Sequence, residues 1–118
     1  MPLQVPHDPH KVTNSCLVFN PHGDVVARYD KIHLFGFEMG EERYRESNTI
    51  ERGTAPLAID SPFGRIGLTV CYDVRFPELY RALGALDLIS VPSAFTVPTG
   101  QAHWETLLRA RAIENLAW

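Results

Sequence analysis

Hydrophobic and polar positions alternate with a period of two in several stretches of the chain and switch to a helical spacing in two others. Ser15 to Phe19 reads as a buried strand, Pro21-His22-Gly23-Asp24 as a turn, and Val25 to Lys31 as the hairpin partner. Pro56 to Ile59 and Arg65 to Cys71 read as two more strands around the turn Ser61-Pro62-Phe63-Gly64, the second with Ile66, Leu68 and Val70 on one face. Directly after Cys71 the spacing becomes helical, with Pro77 suited to a first turn and Leu79, Tyr80 and Leu83 behind it. Leu86 to Pro92 gives a short apolar strand, Ser93 to Gly100 a loop, and Ala102 to Trp118 a helix burying Trp104, Leu108 and Ala112. Strand and helix alternate, so the predicted class is α/β.

Two stretches lack a clean period. Residues 1–10, with Pro2, Pro6 and Pro9, are expected to form an irregular arm ahead of a domain over residues 11–118. Phe35 to Gly53, rich in Gly, Glu, Arg, Ser and Asn, is expected to be a long irregular excursion, and long ordered loops tend to carry function.

Composition narrows the picture. With 118 residues, 45% of them hydrophobic, the chain has room for one core. Its net charge is −3 and its eleven basic residues are scattered, which leaves no electrostatic footprint for nucleic acid or an anionic membrane. No apolar run approaches the roughly 20 residues of a membrane span, and the first residues lack the charged and apolar regions of a signal peptide. A cytoplasmic protein is expected; Cys16 and Cys71 could pair arithmetically, but a reducing compartment favours at least one free thiol. His7 and His10 have no acidic or thiol partners at ligand spacing, so neither a metal nor another cofactor is expected.

Cys71 sits at the end of a predicted strand with a helix close behind, where helix N–H groups favour a thiolate and can hold an oxyanion. The local pattern alone leaves two readings open, a nucleophile or a small buried hydrophobe. Lys31, taken alone, is an ordinary strand-end lysine.

The wording around these residues carries more. Gly67-Leu68-Thr69-Val70-Cys71-Tyr72-Asp73-Val74-Arg75-Phe76-Pro77-Glu78 resembles the nucleophile segment of the nitrilase superfamily of carbon–nitrogen hydrolases, in its Nit-type and omega-amidase-like branch. Tyr29-Asp30-Lys31-Ile32-His33-Leu34-Phe35 resembles that family's catalytic-lysine strand. Ser93-Ala94-Phe95-Thr96, His103-Trp104-Glu105 and Arg109 to Asn115 resemble its pocket loop and following helix.

The resemblance implies a partial four-layer α-β-β-α sandwich and a Glu-Lys-Cys triad acting on a small amide. Cys71 is then the nucleophile that carries the acyl group as a thioester, and Lys31 offsets charge on the carbonyl oxygen. Glu46, in Tyr44-Arg45-Glu46-Ser47, fits the family's second glutamate, which orients the lysine or the substrate; Glu38, Glu41 and Glu42 crowd the same loop. The Tyr72 N–H is the expected second oxyanion donor, and Phe95 and Thr96 are expected to line the pocket. Arg75 has two readings, a bidentate partner for a substrate carboxylate or an ion pair with Asp73 or Glu78. Glu105, Arg109, Arg111 and Glu114 are spaced for ion pairs along a helix face.

The chain also departs from the family pattern. The general-base glutamate belongs well upstream of the lysine strand, and ahead of Lys31 the only acidic residues are Asp8, Asp24 and Asp30. The family's domain is more than twice as long, so a fragment is expected, active only when completed and then a homo-oligomer. The alternative is a catalytically dead remnant that serves as a folding or assembly module.

Overall fold

The computed structural model describes the backbone of all 118 residues and every side chain except those of Met39 and Glu42. The chain divides into two compact units, Met1–Ala55 and Pro56–Trp118. The first holds a four-stranded and a two-stranded sheet, the second a three-stranded one.

In the first unit, β1 (Pro2–Val5), β2 (Asp8–Phe19), β3 (Val25–Asp30) and β6 (Ile50–Glu51) share a sheet built around the long β2. The C-terminal half of β2 pairs with β3 as the predicted antiparallel hairpin, Cys16 opposite Tyr29 and Ser15 opposite Asp30. Its N-terminal half pairs with β1 on one side and, in parallel, with β6 on the other. Residues 2–5 and 8–10 therefore lie in strands where an irregular arm is expected. Pro2 is tolerated because β1 is an edge strand, whose outward N–H positions need no partner.

The excursion over 35–53 is also more ordered than its composition implies. β4 (Gly36–Met39) and β5 (Glu42–Arg45) form a hairpin closed by Gly40, which supplies a φ of 63° at the first loop position. Phe37 faces Tyr44 across it, and both rings lie near Phe35, with centroids 5.9 to 6.2 Å apart.

In the second unit, β7 (Leu57–Ser61) and β8 (Gly64–Leu68) form a hairpin, and β9 (Leu88–Ser90) lies parallel to β8. The crossover between these parallel strands is a 3-10 turn, Cys71–Arg75, followed by α1 (Pro77–Ala82) with proline in its first turn. Leu79, Tyr80 and Leu83 are buried as predicted, together with Leu68, Val70, Val74 and Leu86. The alternation expected past Leu68 gives way to a run buried on both faces, Gly67 to Val70.

The final helix is shorter than predicted. A helical turn, α2 (Val97–Thr99), leads into a π-helical turn, Gly100–Trp104, and then α3 (Glu105–Asn115). Leu116 ends it in left-handed backbone, φ 51°, and Trp118 runs back along the sheet, its N–H donating to Asp87 O and its carbonyl accepting from Ile89. Among the described residues no helix is long and apolar enough to cross a membrane.

Candidate active site

Lys31 follows β3 and is fixed by its backbone, its N–H donating to Asn14 O at 2.9 Å and its carbonyl accepting from Gly53 at 2.8 Å. Gly53 is required there, since a Cβ would run into the Asp30 carbonyl. The Lys31 side chain is 1% exposed, and its Nζ donates to Glu46 Oε2 at 2.5 Å. That carboxylate oxygen also accepts the Phe35 N–H at 2.7 Å, while Glu46 N–H donates back to Phe35 O at 2.9 Å. The sequence thus names both members of a buried ion pair, and the β4–β5 hairpin explains how a chain excursion returns Glu46 to the lysine.

Beside it, Asp30 accepts from Arg28 and Ser15. Burial alone raises the Asp30 carboxyl, but these donors outweigh it and hold the group below the ordinary carboxylate range. Cys16 lies within β2, where burial pushes its thiol up, away from the thiolate. It is half-buried rather than part of the core that the sequence reading expects.

In the second unit, Cys71 occupies the turn from β8 into the 3-10 helix with φ 51°, a left-handed conformation that a cysteine adopts only under constraint. Three interactions supply that constraint. Cys71 N–H donates to Pro92 O at 2.9 Å, and Thr69 binds Ser90 O through both its N–H, at 3.1 Å, and its hydroxyl, at 2.8 Å. Asp73, fully buried, accepts the Val70 N–H at 2.9 Å and returns its own N–H to Val70 O at 3.1 Å. Sequence reading treated Asp73 only as a candidate partner for Arg75. The available signal was its spacing, an acidic residue three positions after the residue that opens a helical turn.

Behind the turn, Arg111 is 7% exposed and donates through Nε to Val74 O at 2.9 Å. It pairs with Glu114 and lies 5.5 Å from the Tyr80 ring centroid. Arg109 pairs with Glu105 at 3.2 Å, so both helix-face pairs form as spaced. Burial pushes the Tyr80 phenol up to about 12, although its hydroxyl donates to Thr69 Oγ1 at 3.3 Å.

Arg75 takes neither acidic neighbour as its partner. Its guanidinium carbon lies 5.9 Å from the Tyr72 ring and 5.7 Å from the Phe95 ring, and Nη2 donates to His103 Nδ1 at 3.2 Å. Phe95 packs on Trp104 with centroids 4.8 Å apart, and Tyr72 on Phe76 at 5.3 Å. Three of the four residues expected at the substrate, Tyr72, Arg75 and Phe95, thus form one cluster. The fourth, Thr96, instead shares a hydrogen bond of 2.7 Å with the Thr99 hydroxyl. The sequence places His103 only within the family-like run His103-Trp104-Glu105 and gives it no role, because a histidine in a helical pattern carries no signal of its partner.

Residues 2–118 match the carbon-nitrogen hydrolase family, and the chain belongs to it. It is 52% identical over 119 residues to the deaminated glutathione amidase of Yersinia enterocolitica, with 98% of this chain and 42% of that protein covered. The crystal structure of the Caenorhabditis elegans NitFhit protein superposes with a TM-score of 0.87 at 50% identity, covering 97% of this chain and 29% of that one. The amidase of Nesterenkonia sp. AN1, in a structure with acrylamide added at its active-site cysteine, matches at 33% identity and TM-score 0.76 over 98% of this chain and 44% of its own. The α/β fold is therefore that of the nitrilase-type carbon–nitrogen hydrolases. The chain spans less than half the length of these relatives.

Proposed function

We propose that this chain is the central part of an amidase that cleaves the carbon–nitrogen bond of a small carboxylated amide through a thioester on Cys71. The observation that carries the reading is the Cys71 turn, a thiol in left-handed backbone at the carboxyl end of β8, pinned by the buried Asp73. Open parallel sheets commonly offer their ligand sites at strand carboxyl ends, and a nucleophile needs a fixed approach to the carbonyl.

In the reaction, the Cys71 thiolate attacks the amide carbonyl carbon, and the C–N bond breaks as the nitrogen leaves with a proton. Water then attacks the thioester, releasing a carboxylic acid and restoring the thiol. Lys31 offsets the negative charge on the carbonyl oxygen, the Tyr72 N–H is a second donor to it, and Glu46 orients Lys31. Arg75 takes the substrate carboxylate, with Phe95 and Thr96 lining the pocket. The general-base glutamate implied by the family pattern has no counterpart ahead of Lys31 in these residues, and we take that step to belong to a group outside them. A cytoplasmic homo-oligomer completes the reading.

The test is hydrolysis of an omega-amide of a dicarboxylic acid by the intact protein. Cys71→Ala is expected to abolish turnover with an unchanged circular dichroism spectrum. Undiminished turnover in that variant overturns the reading. A folded wild type without any turnover favours the competing reading, a catalytically silent assembly module.

A further inference from the structure

We infer that His103 is a positioning residue that aims Arg75 at the substrate carboxylate. The inference rests on the carboxylated-amide reading above and assigns the residue that makes Arg75 selective.

A guanidinium is never deprotonated and has only N–H donors. The 3.2 Å contact between Arg75 Nη2 and His103 Nδ1 is therefore a hydrogen bond only if Nδ1 carries its lone pair, so the ring proton lies on Nε2. Among the described residues one of the five guanidinium donors is used in this way, and the rings of Tyr72 and Phe95, with centroids 5.9 and 5.7 Å from the guanidinium carbon, flank it without consuming any more. The other donors stay available for a bidentate carboxylate.

The backbone around His103 fits such a task. It lies in the π-helical turn Gly100–Trp104, an uncommon geometry frequent at functional sites, and the adjacent Trp104 packs on Phe95. One turn thus sets both the hydrogen-bond acceptor and the aromatic face that hold Arg75. Without the acceptor, the long arginine side chain regains rotamer freedom that it must lose again on binding.

The experiment compares the intact protein with His103→Ala, His103→Asn and Arg75→Ala on two amides of equal length, one ending in a carboxylate and one in a methyl group. The expected result is a KM about tenfold higher for the carboxylated amide in His103→Ala, the factor corresponding to ~1.4 kcal/mol. Its kcat is expected within about twofold of wild type and the KM of the neutral amide unchanged. His103→Asn, whose side-chain oxygen can stand in for Nδ1, is expected to restore the wild-type KM. If Arg75→Ala loses the preference for the carboxylated amide and His103→Ala keeps it, the role of His103 is wrong and the substrate reading stands. If neither variant changes the preference, both fail together. Nitrogen NMR of the imidazole gives an answer independent of folding in the variants: the wild type is expected as the Nε2–H tautomer, and a protonated Nδ1 overturns the inference.

Discussion

The Lys31 ammonium and the Glu46 carboxylate meet at 2.5 Å with only 1% and 13% of their side chains exposed, and the Phe35 N–H donates to the same carboxylate oxygen. A buried pair of this kind is costly to break from one side, because the remaining charge is left without compensation. Glu46→Ala is expected to destabilise the protein by about 3 kcal/mol. The double variant Lys31→Met/Glu46→Gln, which removes both charges, is expected to recover most of that loss and to remain inactive. Urea denaturation and turnover, measured on the same preparations, separate the structural from the chemical contribution. A Glu46→Ala protein as stable as wild type contradicts the pairing.

The left-handed conformation of Cys71 makes a second expectation. A residue with a Cβ in that region is disfavoured by about 1 to 2 kcal/mol, whereas glycine at an ordinary interior position loses about 0.5 to 1 kcal/mol to alanine. At φ 51° the first effect offsets the second. Cys71→Gly is therefore expected to match or exceed Cys71→Ala in denaturation midpoint. A glycine variant about 1 kcal/mol less stable than the alanine variant shows that the turn is unstrained.

The contrast between Cys71 and His103 shows what was legible in the sequence. The β2–β3 hairpin, the strand into Cys71 and the proline-started α1 all announce themselves locally, through alternation, turn residues and a switch of period. Residues 2–5 do not, because prolines that normally signal loop are compatible with an edge strand whose partner lies further along the chain. The β4–β5 hairpin is carried by one glycine and the Phe37–Tyr44 pair within a stretch of charged residues. Lys31 and Glu46 were legible only through the family-like wording around them, since their pairing spans fifteen residues and depends on that hairpin. The contacts of Arg75 with His103 and of Asp73 with Val70 depend on tertiary geometry.

Tyr80 gives the protein a pH dependence of known sign. Burial raises its phenol from about 10 to about 12, so between those values the folded protein keeps a proton that the unfolded chain releases. The associated stability is fully present below about pH 10 and is lost as pH rises towards 12. Wild type is expected to lose about 1 kcal/mol relative to Tyr80→Phe between pH 10 and 11, at ~1.36 kcal/mol per pH unit. Parallel stability curves for the two proteins over that interval contradict the burial of an ionisable phenol.

The most direct test of the central claim is acid quenching of the intact protein during turnover of a carboxylated amide, followed by peptide mass mapping. The expected result is one acyl group on Cys71, none on Cys16, whose thiol is pushed up by burial, and no adduct in Cys71→Ala. Sustained turnover with Cys71 unacylated, and with equal rates in Cys71→Ala, would contradict it.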